Sequence, residues 1–199
     1  MTYARELSVV LLSYALGSFS TGYYLLRLRT GQDIRCLGSG TAGSRNVART
    51  LGLAAASITL AGDAAKGALA VGAAVLLGLE SWAVPLVMAA VVAGHIWPVQ
   101  LGFRGGKGLA TVMGAVLVFD YRLVLVAYVV AAITLSLTRQ ITLGGLVAVL
   151  LTPLIVALTG HTQTDVIGLS LIAALILFAH REDIQSIVRE ARGPSSEHD

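Results

Sequence analysis

The sequence predicts an all-α integral membrane protein of about seven short transmembrane helices, N-terminus outside and C-terminus cytoplasmic. Three observations carry that prediction. First, 56% of the 199 residues are hydrophobic and only 13% are charged, with a mean hydropathy of +0.80. That leaves too little polar surface to face water all round, so lipid is the solvent. Second, the apolar residues are Leu, Val, Ala and Ile in long runs rather than period-2 alternation, which reads as helix and not as barrel strand. Third, eleven of the fourteen lysines and arginines fall on one side of these runs, with Arg5 and Arg122 on the other and Lys66 within a run. Positive residues mark the cytoplasmic side.

The elements follow in order. Met1 to Glu6 leads into a first span from Leu7 to Leu26, read as a retained helix and not a cleaved signal peptide. A polar, glycine-rich stretch follows, from Gly38 to Arg49. The second span, Leu51 to Leu79, contains Asp63 and Lys66, which share a helix face at i, i+3 and can neutralise each other. The third runs from Trp82 to Phe103. The fourth, Leu109 to Phe119, is short for a hydrocarbon core that needs ~20 helical residues, so it must be tilted, re-entrant or buried in protein. The fifth follows Asp120-Tyr121-Arg122 and runs to Leu137, the sixth covers Leu143 to Leu158, and the seventh ends at Ala179. An amphipathic tail opens at His180. Residues 1–192 read as one domain and residues 193–199 as a disordered tail.

The glycine-rich polar segments all fall on the positive side. Glycine lets backbone N–H groups turn toward an anion. Ser39, Thr41 and Ser44 add hydroxyls, while Arg45, Arg49 and Lys107 add charge. Together they read as a phosphate-binding surface at the membrane interface. Neither loop has Walker A spacing, and no G-x-S-x-G elbow or zinc-type His/Cys cluster occurs. The net charge of +3 does not point to nucleic acid. No metal or cofactor is expected, and the single Cys36 reads as inert. Phosphate binding without an obvious nucleophile points to direct transfer between two bound substrates.

Plainer readings apply elsewhere. Gly67, Gly72 and Gly114 read as helix-packing glycines, and Arg27, Arg29 and Arg139 as span-end charges that set orientation. His95 reads as structural, bonded to a loop carbonyl, and His161 as an outer-side residue without a role. Lys107 stands out as a lone cation between glycines.

Four ordered elements resemble the bacterial membrane acyl-phosphate:glycerol-3-phosphate acyltransferases: the run Gly38 to Gly52, Asp63-Ala64-Ala65-Lys66-Gly67, Gly94-His95-Ile96-Trp97-Pro98 leading into Gly102 to Thr111, and His180-Arg181-Glu182-Asp183-Ile184. The opening Leu16 to Tyr23 is also similar. The resemblance implies a seven-span fold and transfer of a fatty acyl group from acyl phosphate to glycerol 3-phosphate, giving lysophosphatidate and phosphate. The setting implied is the inner (cytoplasmic) membrane of the cell and the working unit a monomer. By the same resemblance, Ser39, Arg49 and Lys107 are phosphate ligands, and the loop's own hydroxyls, glycines and charge add Gly40, Thr41, Gly43, Ser44, Arg45 and Asn46 to the expected substrate- and phosphate-binding set. Arg104, Gly105, Gly106, Gly108 and Thr142 complete that set. Ser39, Lys107, His180 and Asp183 are the expected catalytic group, with His180 ordering the site and a substrate phosphate able to take the hydroxyl proton. The chain departs from the family pattern at Thr41, Ser44-Arg45, Gly145 and Asp183. Because Arg45 and Asp183 bring opposite charges to two site-forming segments, a compensating Arg45–Asp183 ion pair is expected. The competing readings are acylation of another phosphorylated alcohol, and a non-catalytic anion transporter or lipid-binding protein.

Overall fold

A computed structural model describes residues 2–192, so the tail expected at 193–199 lies outside the described residues. Ten α-helices occur among them: α1 Thr2–Ser18, α2 Thr21–Thr30, α3 Ser44–Leu51, α4 Leu53–Leu76, α5 Ala83–Ile96, α6 Leu109–Phe119, α7 Tyr121–Thr138, α8 Ile141–Leu158, α9 Gln163–Ala179 and α10 Arg181–Arg192.

Five segments are long and apolar enough to cross a bilayer: Tyr3–Thr30, Leu53–Leu76, Ala83–Leu101, Tyr121–Thr138 and Ile141–Leu158. A sixth appears if α9 and α10, bent by 64° at His180, are taken together. The remaining apolar helix is α6, whose 11 residues reach only about 16 Å, half of a ~30 Å core. Thr111, Val112, Gly114, Ala115 and Val116 of α6 are buried, so protein shields this short helix from lipid.

Two segments differ from expectation. The first span is not continuous: it breaks at Phe19-Ser20 between α1 and α2. The break exposes carbonyls that helix geometry no longer satisfies, and distant side chains take them up. Lys66 Nζ donates to Gly17 O at 2.9 Å and Phe19 O at 2.7 Å, and Gln100 Nε2 donates to Ser18 O at 2.5 Å. The second difference is that the glycine-rich stretch becomes helical at Ser44. Its end is the separate amphipathic helix α3, which buries Asn46 and Val47 and turns into α4 through Gly52 at φ 84°.

Helices cross closely where glycines replace side chains. A Cβ on Gly67 would collide with Thr111 O, and one on Gly114 with Ala64 O, so α4 and α6 meet backbone to backbone. Gly17 and Gly94 serve α1 and α5 in the same reciprocal way, against Val91 O and Tyr14 O. Such contact gives dispersion and packing in a solvent where burial of apolar surface drives little. Gly72 is not part of it, because a side chain there would meet open space. The largest core cluster, with Val71, Val87, Met88 and Val91 at its centre, lies where α4, α5, α6 and α9 converge.

Connections alternate between two ends of the bundle. At one end Arg5 bonds Gly78 O and His161 approaches Asp120 at 3.5 Å. The other end holds the two glycine-rich loops, the α7–α8 junction and the α9–α10 elbow.

Candidate active site

The first loop is shaped from within by one amide. Asn46 Nδ2 donates to Leu37 O and Thr41 O, both at 2.9 Å, and to Ile34 O at 3.3 Å. Its Oδ1 accepts from Ser39 N at 2.9 Å. Gly38 lies at φ 55° with its α-carbon against Asn46 Oδ1, leaving no room for a Cβ. This places Ser39 Oγ beside Thr41 Oγ1 at 3.1 Å. The loop is anchored by Asp33 and Arg35: the guanidinium grips the carboxylate at 2.5 Å, reaches Leu101 O and holds the Asp33 carboxyl below its usual pKa. The second loop returns its backbone to the end of α5, Gly105 N to Ile96 O and Gly106 N to His95 O, both 3.1 Å. Ala42 N donates to Gly105 O and ties the two loops together.

Between them opens a polar cavity of about 840 Å³, large enough for two small substrates or one with part of a chain. Ser39, Thr41 and Gly43 line it from the first loop, and Ser44, Arg45 and Arg49 from α3. Lys107 and Gly108 enter from the second loop, Thr142 from the start of α8, and His180 and Asp183 from the α9–α10 elbow. Sequence segments more than a hundred residues apart thus share one wall.

Five residues expected to bind phosphate do not line it. Asn46 is spent on the loop's own carbonyls, Gly40 sits at the loop's turn with φ 69°, and Arg104 is exposed. Gly105 and Gly106 are close-approach residues: a Cβ at either would strike His95. Conversely, Arg139, set aside as an orientation charge, lines the cavity, as do Gln140, Ser186 and Glu190. Arg139 gets there by a left-handed backbone at φ 58° that caps α7. Its position before a helix start was the available signal.

The expected Arg45–Asp183 pair is absent among the described residues. Asp183 Oδ2 pairs instead with Lys107 Nζ at 2.6 Å, and Arg45 donates to Thr142 Oγ1. Lys107 is therefore not a lone cation. Asp63 and Lys66 do form the buried pair, at 3.1 Å. His95 departs from expectation, since its ring bonds not to a loop carbonyl but, through Nδ1, to Lys66 Nζ at 2.8 Å.

His180 is buried, and its Nδ1 lies 2.9 Å from Ile176 O. A carbonyl can only accept, so Nδ1 carries the proton and Nε2 presents a lone pair, 3.9 Å from Asp183 Oδ2. Burial pushes the His180 pKa below the ordinary histidine value, outweighing the nearby Ile176 carbonyl and Asp183 carboxylate.

A second, apolar groove of about 200 Å³ runs between α6, α7, α8 and α9, lined by Val112, Val116, Ala148 and Ile172 among others. Leu109, the first residue of α6, lines both spaces. The chain is thus a helical membrane protein with a polar, charged cavity at one end of its bundle and an apolar groove beside it.

The family follows directly. The glycerol-3-phosphate acyltransferase model matches residues 7–190, and the chain belongs to that family. It is 42% identical over 186 residues to glycerol-3-phosphate acyltransferase 1 of Desulfitobacterium hafniense (strain Y51), covering 94% of this chain and 92% of the relative. A Clostridioides difficile (strain 630) glycerol-3-phosphate acyltransferase is 38% identical over 185 residues, covering 90% of each. Among solved structures, the glycerol 3-phosphate form of PlsY (YgiH), an integral membrane glycerol 3-phosphate acyltransferase, superposes with a TM-score of 0.87 at 32% identity, covering 94% of this chain and 93% of that one. Its lysophosphatidic acid form gives 0.85 at 30%.

Proposed function

We propose that this enzyme transfers a fatty acyl group from acyl phosphate to a hydroxyl of glycerol 3-phosphate at the cytoplasmic face of the inner membrane, working as a monomer. The observation that carries this reading is the shared Leu109 wall. It lets an acyl chain lie in the groove while the phosphate it is joined to lies among the cavity cations.

Acyl phosphate is already activated, so the protein has to position two anions and neutralise charge. Arg45, Arg49, Arg139 and Lys107 supply the charge, and the Ser39 and Thr41 hydroxyls fix orientation. The acceptor hydroxyl attacks the acyl carbon, the acyl–phosphate bond breaks, and phosphate leaves with the electron pair. His180 Nε2 accepts the hydroxyl proton, which passes to the departing phosphate. The products are lysophosphatidate and inorganic phosphate. No covalent enzyme intermediate is needed.

The test is acyl transfer by purified protein, offered acyl phosphate, acyl-CoA or acyl carrier protein with glycerol 3-phosphate, dihydroxyacetone phosphate or glycerol. Lysophosphatidate is expected from acyl phosphate and glycerol 3-phosphate. Turnover only with a thioester donor, or only with another alcohol, would refute the assignment.

A further inference from the structure

We propose that His95 is a substrate-contacting hydrogen-bond donor in the polar cavity, its tautomer fixed by Lys66. The proposal rests on reading the cavity as the phosphate site.

Lys66 Nζ is surrounded by Gly17 O, Phe19 O, Asp63 Oδ1 and His95 Nδ1, at 2.7–3.1 Å. An ammonium group can only donate, so His95 Nδ1 must accept, and the ring proton resides on Nε2. The other neighbouring charge, Asp63 Oδ1, is 3.7 Å from Nδ1, beyond a hydrogen bond, and Thr21 Oγ1 caps it at 3.2 Å. The tautomer is thus set from the buried side.

The ring also borders the cavity. His95 is 3% exposed yet lines that space, and among the described residues no protein atom hydrogen-bonds Nε2. Gly106 packs against this end of the ring, and a Cβ there would block Nε2. With no protein acceptor, an N–H at Nε2 is left for a group that enters the cavity. The chemistry that suits it is a phosphoryl oxygen, the group both substrates share. His95 and His180 then divide the work: one presents a fixed N–H to phosphate, the other a lone pair to the hydroxyl.

His95→Asn retains a side-chain oxygen near Nδ1 for Lys66 but cannot reach the Nε2 position. His95→Gln places its amide N–H close to that position. His95→Asn is expected to raise KM for glycerol 3-phosphate or for acyl phosphate roughly tenfold or more, and His95→Gln to recover part of it. Which KM moves tells which phosphate His95 contacts. In long-range proton–nitrogen spectra of 15N-histidine-labelled protein, with His95 identified as the signal left once single substitutions of His161, His180 and His198 have assigned the others, Nδ1 should be bare and Nε2 protonated. Nε2 should shift on adding glycerol 3-phosphate or inorganic phosphate, and not on adding glycerol. The spectra need no turnover, so they separate this proposal from the choice of reaction and decide it even if the variants fail to fold. An unprotonated Nε2, an Nε2 signal unmoved by saturating phosphate compounds, or unchanged KM values in a folded His95→Asn enzyme would overturn it.

Discussion

Lys107 Nζ and Asp183 Oδ2 meet at 2.6 Å across the cavity mouth, joining the second glycine loop to the α9–α10 elbow. An incoming phosphate and the carboxylate compete for the same ammonium. Asp183→Asn removes the competitor and should lower KM for glycerol 3-phosphate about threefold to tenfold, since like-charge repulsion at partly exposed sites is worth ~1 kcal/mol. Steady-state kinetics on folded protein decides it; a raised KM would show that the carboxylate assists binding.

Lys107→Ala should abolish nearly all transfer, by at least about a hundredfold, while thermal unfolding in detergent stays near wild type. Lys107→Arg should fail as well. Glycines on both sides leave a compact ammonium site, and a forked guanidinium cannot take the same geometry. Wild-type turnover in either variant would remove Lys107 from the mechanism.

The Asp63–Lys66 pair is buried to within a few per cent of complete. Asp63→Ala leaves the ammonium unpaired and should destabilise the fold by ~3–5 kcal/mol. Changing both residues to apolar ones removes the stranded charge but also the bonds to Gly17 O and Phe19 O, so the double variant should recover only partly. Full recovery in a denaturation series would mean those carbonyls find other partners.

Because burial lowers the His180 pKa, the neutral, proton-accepting form persists below the ordinary histidine pKa of about 6.5. As pH falls through the lowered value, Nε2 takes a proton and its lone pair is lost, so kcat should drop on an acid limb centred below pH ~6.5. His180→Ala should erase this limb and reduce kcat by about 10²–10⁴-fold. A pH–kcat profile of the same shape in wild type and variant would contradict the proton-acceptor role.

Cys36 is the only cysteine, is exposed, and lies at the cavity end of the bundle. With that end cytoplasmic, a membrane-impermeant maleimide should label it only after the inner membrane is permeabilised. Labelling in intact spheroplasts would invert the proposed orientation.

Much of this fold was legible from the sequence because lipid imposes few options: long apolar runs must be helices, and Asp63 and Lys66, three residues apart in such a run, can neutralise each other. The loops that form the cavity could be recognised as a group by their glycines and charges. Partner choice could not. Lys107 and Arg45 are both within reach of an acidic residue on paper, and only the elbow at His180 decides that Asp183 faces Lys107. Asn46, Gly105 and Gly106 look like anion ligands because the residues that shape a phosphate loop and those that touch phosphate belong to the same small, polar vocabulary. Arg139 was obscured for the opposite reason, since a cation at a span end looks the same whether it faces headgroups or a cavity.

The break between α1 and α2 also bears on biogenesis. Its three carbonyls, on Gly17, Ser18 and Phe19, accept from side chains of residues 66 and 100. In hydrocarbon those carbonyls cannot stand alone without a cost of several kcal/mol. Before those side chains exist, the first segment satisfies the same carbonyls only by running as one continuous helix through Phe19-Ser20. The break is therefore a late feature, opened after about half the chain has been made and held open by residues 66 and 100.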